Sequence, residues 1–262
     1  MLEVIDKGSS SEAHQAPLLF VHGATAGAWY WEENFLDFFA DNGYRAVALN
    51  LRGHGGSPIS KPLNKCTIAD YVDDVGSVAA TLPATPILIG HSMGGFIVQK
   101  YLETRTVPAA VLVSSAPPRS WFRTMWWLGR KHPWLAVKAS VTRKYLGVFP
   151  TPAHVREILF STHTPEPIVD QCFTRLQEES YRALTMDMSL LNLVRPRRVA
   201  ATPILVLEGS DVAWGPRPAR EIARAYHTEA EFFPNMGHNM QLESGWQAVA
   251  ERIDGWLTAQ RL

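Results

Sequence analysis

Cysteines, long apolar runs and an N-terminal leader pattern are scarce or absent in this sequence. Only two of the 262 residues are cysteine, Cys66 and Cys172, and they are too far apart to suggest a disulfide framework or a metal site. No apolar run approaches the ~18–20 residues that a membrane helix requires. Residues 1–15 have neither a basic start nor an apolar segment. These absences predict a soluble protein of the cytoplasm.

The sequence also lacks an excess of charge and the motifs of cofactor sites. Lysine plus arginine and aspartate plus glutamate number 25 each, so no global field favours nucleic acid as a partner. No HExxH, CxxC or EF-hand spacing occurs, and no GxGxxG string follows a predicted strand. We therefore expect no metal, no organic cofactor and no nucleic-acid partner.

What the sequence has is an alternation of short apolar strands and helix-length segments. Hydrophobic residues make up 46% of the chain and charged residues 19%, which is typical of a globular protein. Strands are predicted at residues 17–23, 45–51, 86–90, 109–115, 203–207 and 229–233, and helices within residues 28–42, 68–82, 93–104, 217–226 and 246–260. Thr67 is a candidate N-cap. The pattern predicts an α/β protein with helices on both faces of a parallel sheet.

The alternation stops between residues 119 and 198, where only helical pieces rich in Trp, Arg and Leu are found. Such an interruption predicts a helical cap, residues 119–198, inserted into a core formed by residues 1–118 and 199–262. The handedness of crossover connections joins the strands before and after the cap into one sheet. Ligands of such sheets bind outside the carboxyl ends of the strands.

The segment Gly90-His91-Ser92-Met93-Gly94-Gly95 is the strongest chemical signal. Its G-x-S-x-G string follows a predicted strand and opens a predicted helix, which is the context of a nucleophile elbow. A serine on so sharp a turn adopts an unfavourable conformation, and the small residues beside it let neighbouring backbone pass close. We predict that Ser92 is a nucleophile, the alternative being an ordinary Gly/Ser-rich turn.

A serine nucleophile requires a base, and the base requires an acid that fixes its tautomer. Among nine histidines, His238 is the best placed, because it directly follows the last predicted strand. Asp211, just after the strand at 203–207, is the predicted acid, and Glu208 at the strand end is its rival. The backbone N–H groups of Met93 and of Ala24, in the loop after the first central strand, are predicted to form the oxyanion hole.

Four motifs in this order carry a resemblance to a known family: His22-Gly23, the loop from Asn50 to Ser57, the segment from Gly90 to Gly95, and Gly237-His238 with Glu243. From about Pro17 to the C-terminus the chain resembles the α/β-hydrolase fold superfamily, and within it the serine esterases and lipases of the lysophospholipase and monoacylglycerol lipase-like branch. The family's order of serine, acid and histidine falls on Ser92, Asp211 and His238. The resemblance implies a mostly parallel eight-stranded sheet with a helical cap inserted after the sixth strand.

Two departures from the family pattern matter. Asn50 stands where the family usually has Asp, which affects the packing of a loop. The acid usually follows a glycine by three positions, whereas Asp211 follows Gly209 by two, so the choice between Asp211 and Glu208 stays open. Serine at position 92 also separates the chain from the haloalkane dehalogenases and epoxide hydrolases, which resemble it but use Asp there. The family's first strands are shortened here to residues 1–16.

These observations predict a hydrolase of carboxylic esters that acts through an acyl-enzyme. Residues 119–144 contain seven Lys and Arg and no acidic residue, which predicts a weak contact of the cap with lipid aggregates or membranes. The same segment contains four tryptophans predicted to bind a lipophilic substrate: Trp121, Trp126, Trp127 and Trp134. The alternative for this segment is that it only packs on the sheet. Lactonases, C–C bond hydrolases, perhydrolases and a triad-retaining ligand receptor remain alternatives for the function.

Overall fold

The strands of the molecule form one sheet. A computed structural model describes residues 1–119 and 122–262. Within these ranges the sheet has seven strands: β1 Val4–Lys7, β2 Leu18–Val21, β3 Ala46–Leu49, β4 Ile87–His91, β5 Ala110–Val113, β6 Ile204–Gly209 and β7 Ala230–Phe233. Their order is β1-β3-β2-β4-β5-β6-β7. β1 is antiparallel to β3 and all other neighbours are parallel, which confirms the predicted α/β class.

The described residues also form ten α-helices. In chain order they are α1 Trp29–Glu32, α2 Phe35–Asp41, α3 Ile68–Ala79, α4 Met93–Tyr101, α5 Phe122–Lys131, α6 Pro133–Thr142, α7 Pro152–Leu159, α8 Glu166–Arg175, α9 Arg217–Tyr226 and α10 Trp246–Ala259. A π-helical segment covers Arg182–Leu191, and 3₁₀ turns cover Leu63–Lys65, Tyr145–Val148 and Pro196–Arg198. Helices α5 to α8 and the π-helical segment lie between β5 and β6, in the stretch predicted to be a cap, which we call the insertion (residues 119–198).

The central strands are buried on both faces. Every residue of β2, β3, β4 and β5 is buried, although successive side chains of a strand point to opposite faces. Both faces of the sheet are therefore covered, as expected for parallel strands. The predicted N-cap of α3 is also confirmed, because the Thr67 hydroxyl accepts from the Asp70 N–H while the Asp70 carboxylate accepts from the Thr67 N–H.

Three features differ from expectation. The described residues give seven strands rather than eight, because only β1 precedes the first central strand. For the same reason the insertion follows the fifth strand of this sheet and not the sixth. The helix expected within residues 28–42 is two short helices, since Asn34 leaves the helical conformation, with φ −141°, and donates its side-chain amide to the Gln241 carbonyl.

The insertion is joined to the core by hydrogen bonds at several loops. The Gln177 N–H donates to the Thr25 carbonyl at 2.9 Å, and the Asn239 N–H donates to the Leu159 carbonyl at 2.8 Å. The Ile68 N–H, at the start of α3, donates to the Asp187 carboxylate at 2.9 Å. The first two bonds lie next to the predicted oxyanion loop and the predicted base. In the described residues no helix is both long and apolar enough to cross a membrane.

Candidate active site

Ser92 lies on a strained turn between β4 and α4. Its backbone has φ 53° and ψ −117°, a left-handed conformation that is costly for a residue with a Cβ atom. The turn is tight because glycines surround it. A Cβ added at Gly90 would lie 2.7 Å from the Gly94 carbonyl oxygen, and one at Gly94 would collide with the carbonyl oxygens of Val21 and His22. This is the geometry of a nucleophile elbow.

Ser92 and His238 line the same small cavity at the carboxyl ends of the strands. Its volume is about 50 Å³. The lining consists of Ala24, Thr25, Tyr30, His91, Ser92, Met93, Trp127, Tyr145, Phe149, Ile158, Leu159, Leu184, Met188, Trp214, His238 and Asn239. The side chains from the insertion are all apolar or aromatic, so the insertion supplies a lipophilic part of the lining, and the polar lining side chains come from the core.

His238 is buried, and its environment keeps the imidazole neutral. Burial lowers the pKa of His238 well below its usual value, and the neighbouring His91 lowers it further. The Trp214 ring lies against His238 edge-on, with 4.7 Å between ring centroids. Within the described part of the chain, Nδ1 of His238 has no hydrogen-bond partner. A neutral imidazole of this kind can accept a proton, although no carboxylate of the described residues hydrogen-bonds to it.

His91, next to the predicted nucleophile, holds the backbone of the predicted base. Its Nε2 donates to the His238 carbonyl oxygen at 3.0 Å. Burial lowers the pKa of His91 to about 4, so its ring is neutral at pH 7 with the proton on the nitrogen that faces the carbonyl. His91 therefore links the turn of Ser92 directly to the loop of His238.

The two candidate acids occupy different environments. Asp211 lies on an exposed loop, where its carboxylate accepts from the Ser210 hydroxyl at 2.8 Å and its N–H donates to the Met236 carbonyl at 2.9 Å. Glu208 is buried, and burial raises its pKa to about 8, with the Ser114 hydroxyl and the Gly209 N–H offsetting only part of this effect. Among the described residues neither carboxylate hydrogen-bonds to His238. Which of the two is the acid stays a prediction.

The predicted oxyanion loop lies beside Ser92. A Cβ added at Gly23 would lie 3.0 Å from the Ser92 Cβ, so the loop backbone passes close to the Ser92 side chain. Met93 is the first residue of α4, and its N–H has no acceptor within the helix. Ala24 and Met93 both line the cavity. The geometry brings both predicted donors close to Ser92, and their role as an oxyanion hole stays a prediction.

The four tryptophans singled out from the sequence have different positions. Trp127 lines the cavity. Trp126 and Trp134 do not: their exposed fractions are 56% and 75%. Adjacent residues of a helix point about 100° apart, so Trp126 and Trp127 of α5 face different ways. Trp121 lies outside the described residues.

Two buried glutamates that sequence reasoning gave no role tie the insertion to the site. Glu179 pairs with His54 at 3.1 Å, accepts from the Tyr71 hydroxyl at 2.7 Å and from the N–H of Thr25 at 3.4 Å. No local sequence pattern marks Glu179. Glu243 was marked only as part of a family motif, and its carboxylate accepts from two backbone groups, the N–H of Gly237 at 2.8 Å and that of Ser161 at 2.6 Å.

No metal site is evident in the described ranges, where no group of three or more His, Cys, Asp or Glu side chains could hold a metal ion.

The fold is that of the α/β-hydrolases. A mostly parallel sheet carries an insertion, and a strained serine, Ser92, shares a cavity with His238. Residues 18–252 match the sequence profile of the Alpha/beta hydrolase family, and the chain belongs to that family.

Several known proteins are similar to this chain over part of their length. It is 38% identical over 106 residues to a non-heme chloroperoxidase of Streptomyces lividans, which covers 39% of this chain and 37% of that protein. It is 35% identical over 108 residues to the bifunctional esterase/perhydrolase DCH of Acinetobacter calcoaceticus, which covers 39% of this chain and 38% of that protein. The matched segments thus span less than half the length of either relative.

A solved structure resembles the chain over nearly its whole length. A thermophilic esterase from Thermogutta terrifontis superposes with a TM-score of 0.78 at 20% identity, covering 100% of this chain and 94% of that one. At this identity the likeness shows the fold. Together with the family match, it makes the chain a member of a hydrolase superfamily that includes esterases.

Proposed function

We propose that the protein is a serine hydrolase of carboxylic esters. The observation that carries this proposal is the strained elbow that presents Ser92 in the same cavity as the neutral, buried His238. A hydroxyl and a neutral imidazole in one apolar site are the pair that nucleophilic acyl transfer requires. The similarity to a bifunctional esterase/perhydrolase supports the same class of reaction.

The proposed mechanism has two halves. Ser92 Oγ attacks the acyl carbon while His238 takes its proton, and the N–H groups of Ala24 and Met93 stabilise the negative oxygen of the tetrahedral intermediate. His238 then returns the proton to the leaving alcohol, which leaves an acyl group on Ser92. Water attacks that acyl-enzyme with His238 again as base, and the carboxylic acid is released.

In this proposal an acid holds the proton of His238 on Nδ1 and stabilises the imidazolium. We assign Asp211, with Glu208 as the alternative. The loop that follows β6 supports this assignment, because the Asp211 N–H donates to the Met236 carbonyl, two residues before His238. The buried Nδ1 of His238, without a partner in the described ranges, is the position that such an acid would fill.

The proposed substrate is an ester with a lipophilic acyl group, of the kind found in monoacylglycerols and lysophospholipids. Support comes from the apolar and aromatic side chains of Trp127, Phe149, Leu184 and Met188, which line the same cavity as Ser92. The cavity of about 50 Å³ is far smaller than the ~300–1,000 Å³ typical of small-molecule sites. Entry of such a substrate therefore requires the side chains or helices of the insertion to move.

We further propose that the insertion contacts a lipid surface. On α6 the side chains of Trp134, Val137 and Val141 have exposed fractions of 75%, 53% and 77%, and their spacing of three and four residues places them on one face. The exposed Arg130 guanidinium lies over the exposed Trp126 ring, 4.8 Å from its centroid. An apolar stripe with nearby cations suits the boundary of an anionic membrane.

The two free, buried cysteines support a reducing, cytoplasmic compartment.

The test is hydrolysis of p-nitrophenyl esters of increasing acyl length by the wild type and by Ser92→Ala. Loss of a triad serine lowers kcat by about 10⁶-fold, and a serine-directed phosphonate is expected to label the wild type once and the variant not at all. Thermal unfolding of both proteins is the control for folding. A variant that keeps most of its activity would show that another residue is the nucleophile. A wild type with no turnover on any ester would favour a ligand receptor.

Perhydrolysis is the second candidate, favoured by the similarity to a non-heme chloroperoxidase and to an esterase/perhydrolase. Hydrogen peroxide would replace water in the second half of the mechanism, so that attack on the acyl-enzyme releases a peracid and frees Ser92. Peracid formation from an ester and hydrogen peroxide, compared with acid formation in water alone, separates the two candidates. Ser92→Ala is expected to abolish both reactions.

A further inference from the structure

A groove lined with arginines lies outside the cavity of Ser92 and shares no lining residue with it. Its volume is about 810 Å³, and its charged and titratable lining consists of Arg119, Arg197, Arg217, Arg220, Arg224, His227 and one carboxylate, Glu221. The chain as a whole has equal numbers of basic and acidic residues. The groove is therefore a local concentration of positive charge on a protein with no net charge.

Three separate segments bring these arginines together. Arg119 begins the insertion, and Arg197 lies in the turn that ends it. The other three belong to α9, where spacings of three and four residues place Arg217, Arg220 and Arg224 on one face of the helix. The groove thus forms where both ends of the insertion meet the core.

Carboxylates of the described residues do not neutralise these guanidinium groups. Among the described residues none of the five arginines forms an ion pair, although Glu221 lies in the same groove. Other arginines of the protein are paired: Arg52 with Asp74 and Arg252 with Glu231, each at 2.6 Å. The Arg220 guanidinium instead lies over the aromatic ring of Phe232, 5.7 Å from the ring centroid. Like charges gathered in a concave site repel one another and raise the local concentration of anions.

We propose that this groove binds a small molecule that carries two or more phosphate groups. The planar fork of arginine matches the geometry of phosphate and donates two parallel hydrogen bonds to it. A ligand with several phosphates contacts all three segments at once, whereas a single anion reaches only part of the groove. The volume of about 810 Å³ falls in the range of small-ligand sites, and its concave shape suits a discrete molecule better than a flat membrane.

The test is isothermal titration of the full chain with inorganic tripolyphosphate. We expect saturable binding that weakens as salt is added, and binding of sulfate that is at least about tenfold weaker. The double variant Arg220→Glu/Arg224→Glu is expected to lose at least about tenfold in affinity, a change of about 1.4 kcal/mol, and the neutral pair Arg220→Gln/Arg224→Gln is expected to lose less. Arg261→Glu, an exposed arginine elsewhere, is the matched control and is expected to bind normally. Circular dichroism melts check that each variant is folded.

Several outcomes would overturn the proposal. They are the absence of tripolyphosphate binding at low salt, sulfate binding of equal strength, and an equal loss of affinity in Arg261→Glu. Binding to vesicles that contain phosphatidylserine is measured as well, to distinguish a membrane contact from a small-molecule site. If the Arg220→Glu/Arg224→Glu variant loses vesicle binding while the wild type does not bind tripolyphosphate, the groove is a membrane contact and not a small-molecule site.

Discussion

Replacing Glu179 by alanine removes a buried charge that joins the insertion to the core. The carboxylate of Glu179 and the ring of His54 are both fully buried and lie 3.1 Å apart. The Tyr71 hydroxyl and the Ser180 N–H also donate to Glu179, at 2.7 Å and 2.6 Å. Removing Glu179 takes away the acceptor of the buried His54 ring and of the Tyr71 hydroxyl, and breaking a buried pair in this way costs about 3–5 kcal/mol. For a domain of this size such a loss lowers Tm by about 6–20 °C.

The effect of Glu179→Ala is expected to depend on pH. The pair with Glu179 raises the pKa of His54 against the opposing effect of burial, and His54 lowers the pKa of Glu179. A raised histidine pKa contributes stability that is complete below the unfolded value of 6.5 and is lost as pH rises through the folded value. A lowered carboxylate pKa contributes stability above the unfolded value of 4.5. The difference between wild type and variant is therefore largest between about pH 4.5 and 6.5.

The assay is urea unfolding of both proteins at pH 5.5 and pH 9. Glu166→Ala is the matched control, because Glu166 pairs with Arg156 at the comparable distance of 2.9 Å but its side chain is 73% exposed. An exposed pair of this kind contributes about 0–1 kcal/mol. The nearby His22 does not complicate the result, since burial and the neighbouring His54 lower its pKa to about 3 and it stays neutral. A loss below about 1 kcal/mol, or one equal at both pH values, would refute the assigned role of the ion pair.

Three further predictions concern the elbow, the acid and the insertion. Asp211→Asn is expected to lower kcat on a short p-nitrophenyl ester by about 10⁴-fold, while Glu208→Gln lowers it far less; the opposite ranking would make Glu208 the acid. Gly94→Ala is expected to destabilise the fold by about 1–3 kcal/mol or more in urea unfolding, whereas Gly255→Ala, which meets no atom within 4 Å, stabilises it by about 0.5–1 kcal/mol. Trp134→Ser is expected to weaken sedimentation with anionic vesicles but not hydrolysis of a soluble ester, and unchanged sedimentation would argue against the lipid contact.

The elbow and the sheet were predictable because their signals are local. Steric rules require small residues at positions 90, 94 and 95 and a strained residue at position 92, and the sequence has glycines at the first three. Buried parallel strands are equally visible as short apolar runs between helices. The strand count was wrong by one because residues 1–16 contain a single short strand, and their composition does not distinguish one from two.

The acid and the residues of the insertion were less predictable because they depend on tertiary contacts. Asp211 follows Gly209 by two positions where the family usually has three, and in the structure Trp214 of the same loop contacts the His238 ring. The sequence shows that the insertion contains several tryptophans, but not which way each of them points. In the structure Trp127 faces the cavity and Trp126 does not, because the packing of the helix fixes its rotation about its axis. Glu179 is unmarked because its partners lie 125 and 108 residues away in sequence, at His54 and Tyr71.

The insertion supplies one wall of the cavity and also holds the loops that carry the proposed chemistry. Gln177 and Glu179 both bond to Thr25, next to the proposed oxyanion donor, through the Thr25 carbonyl and N–H respectively. On the other side Glu243 bonds to the backbone of Gly237, beside the proposed base, and to that of Ser161 in the insertion. A movement of the insertion that admits substrate therefore acts on both loops at once. In the proposed mechanism the insertion and the core therefore act together, and grafting an insertion from a relative is expected to alter the positions of His238 and Ala24 along with the shape of the proposed acyl pocket.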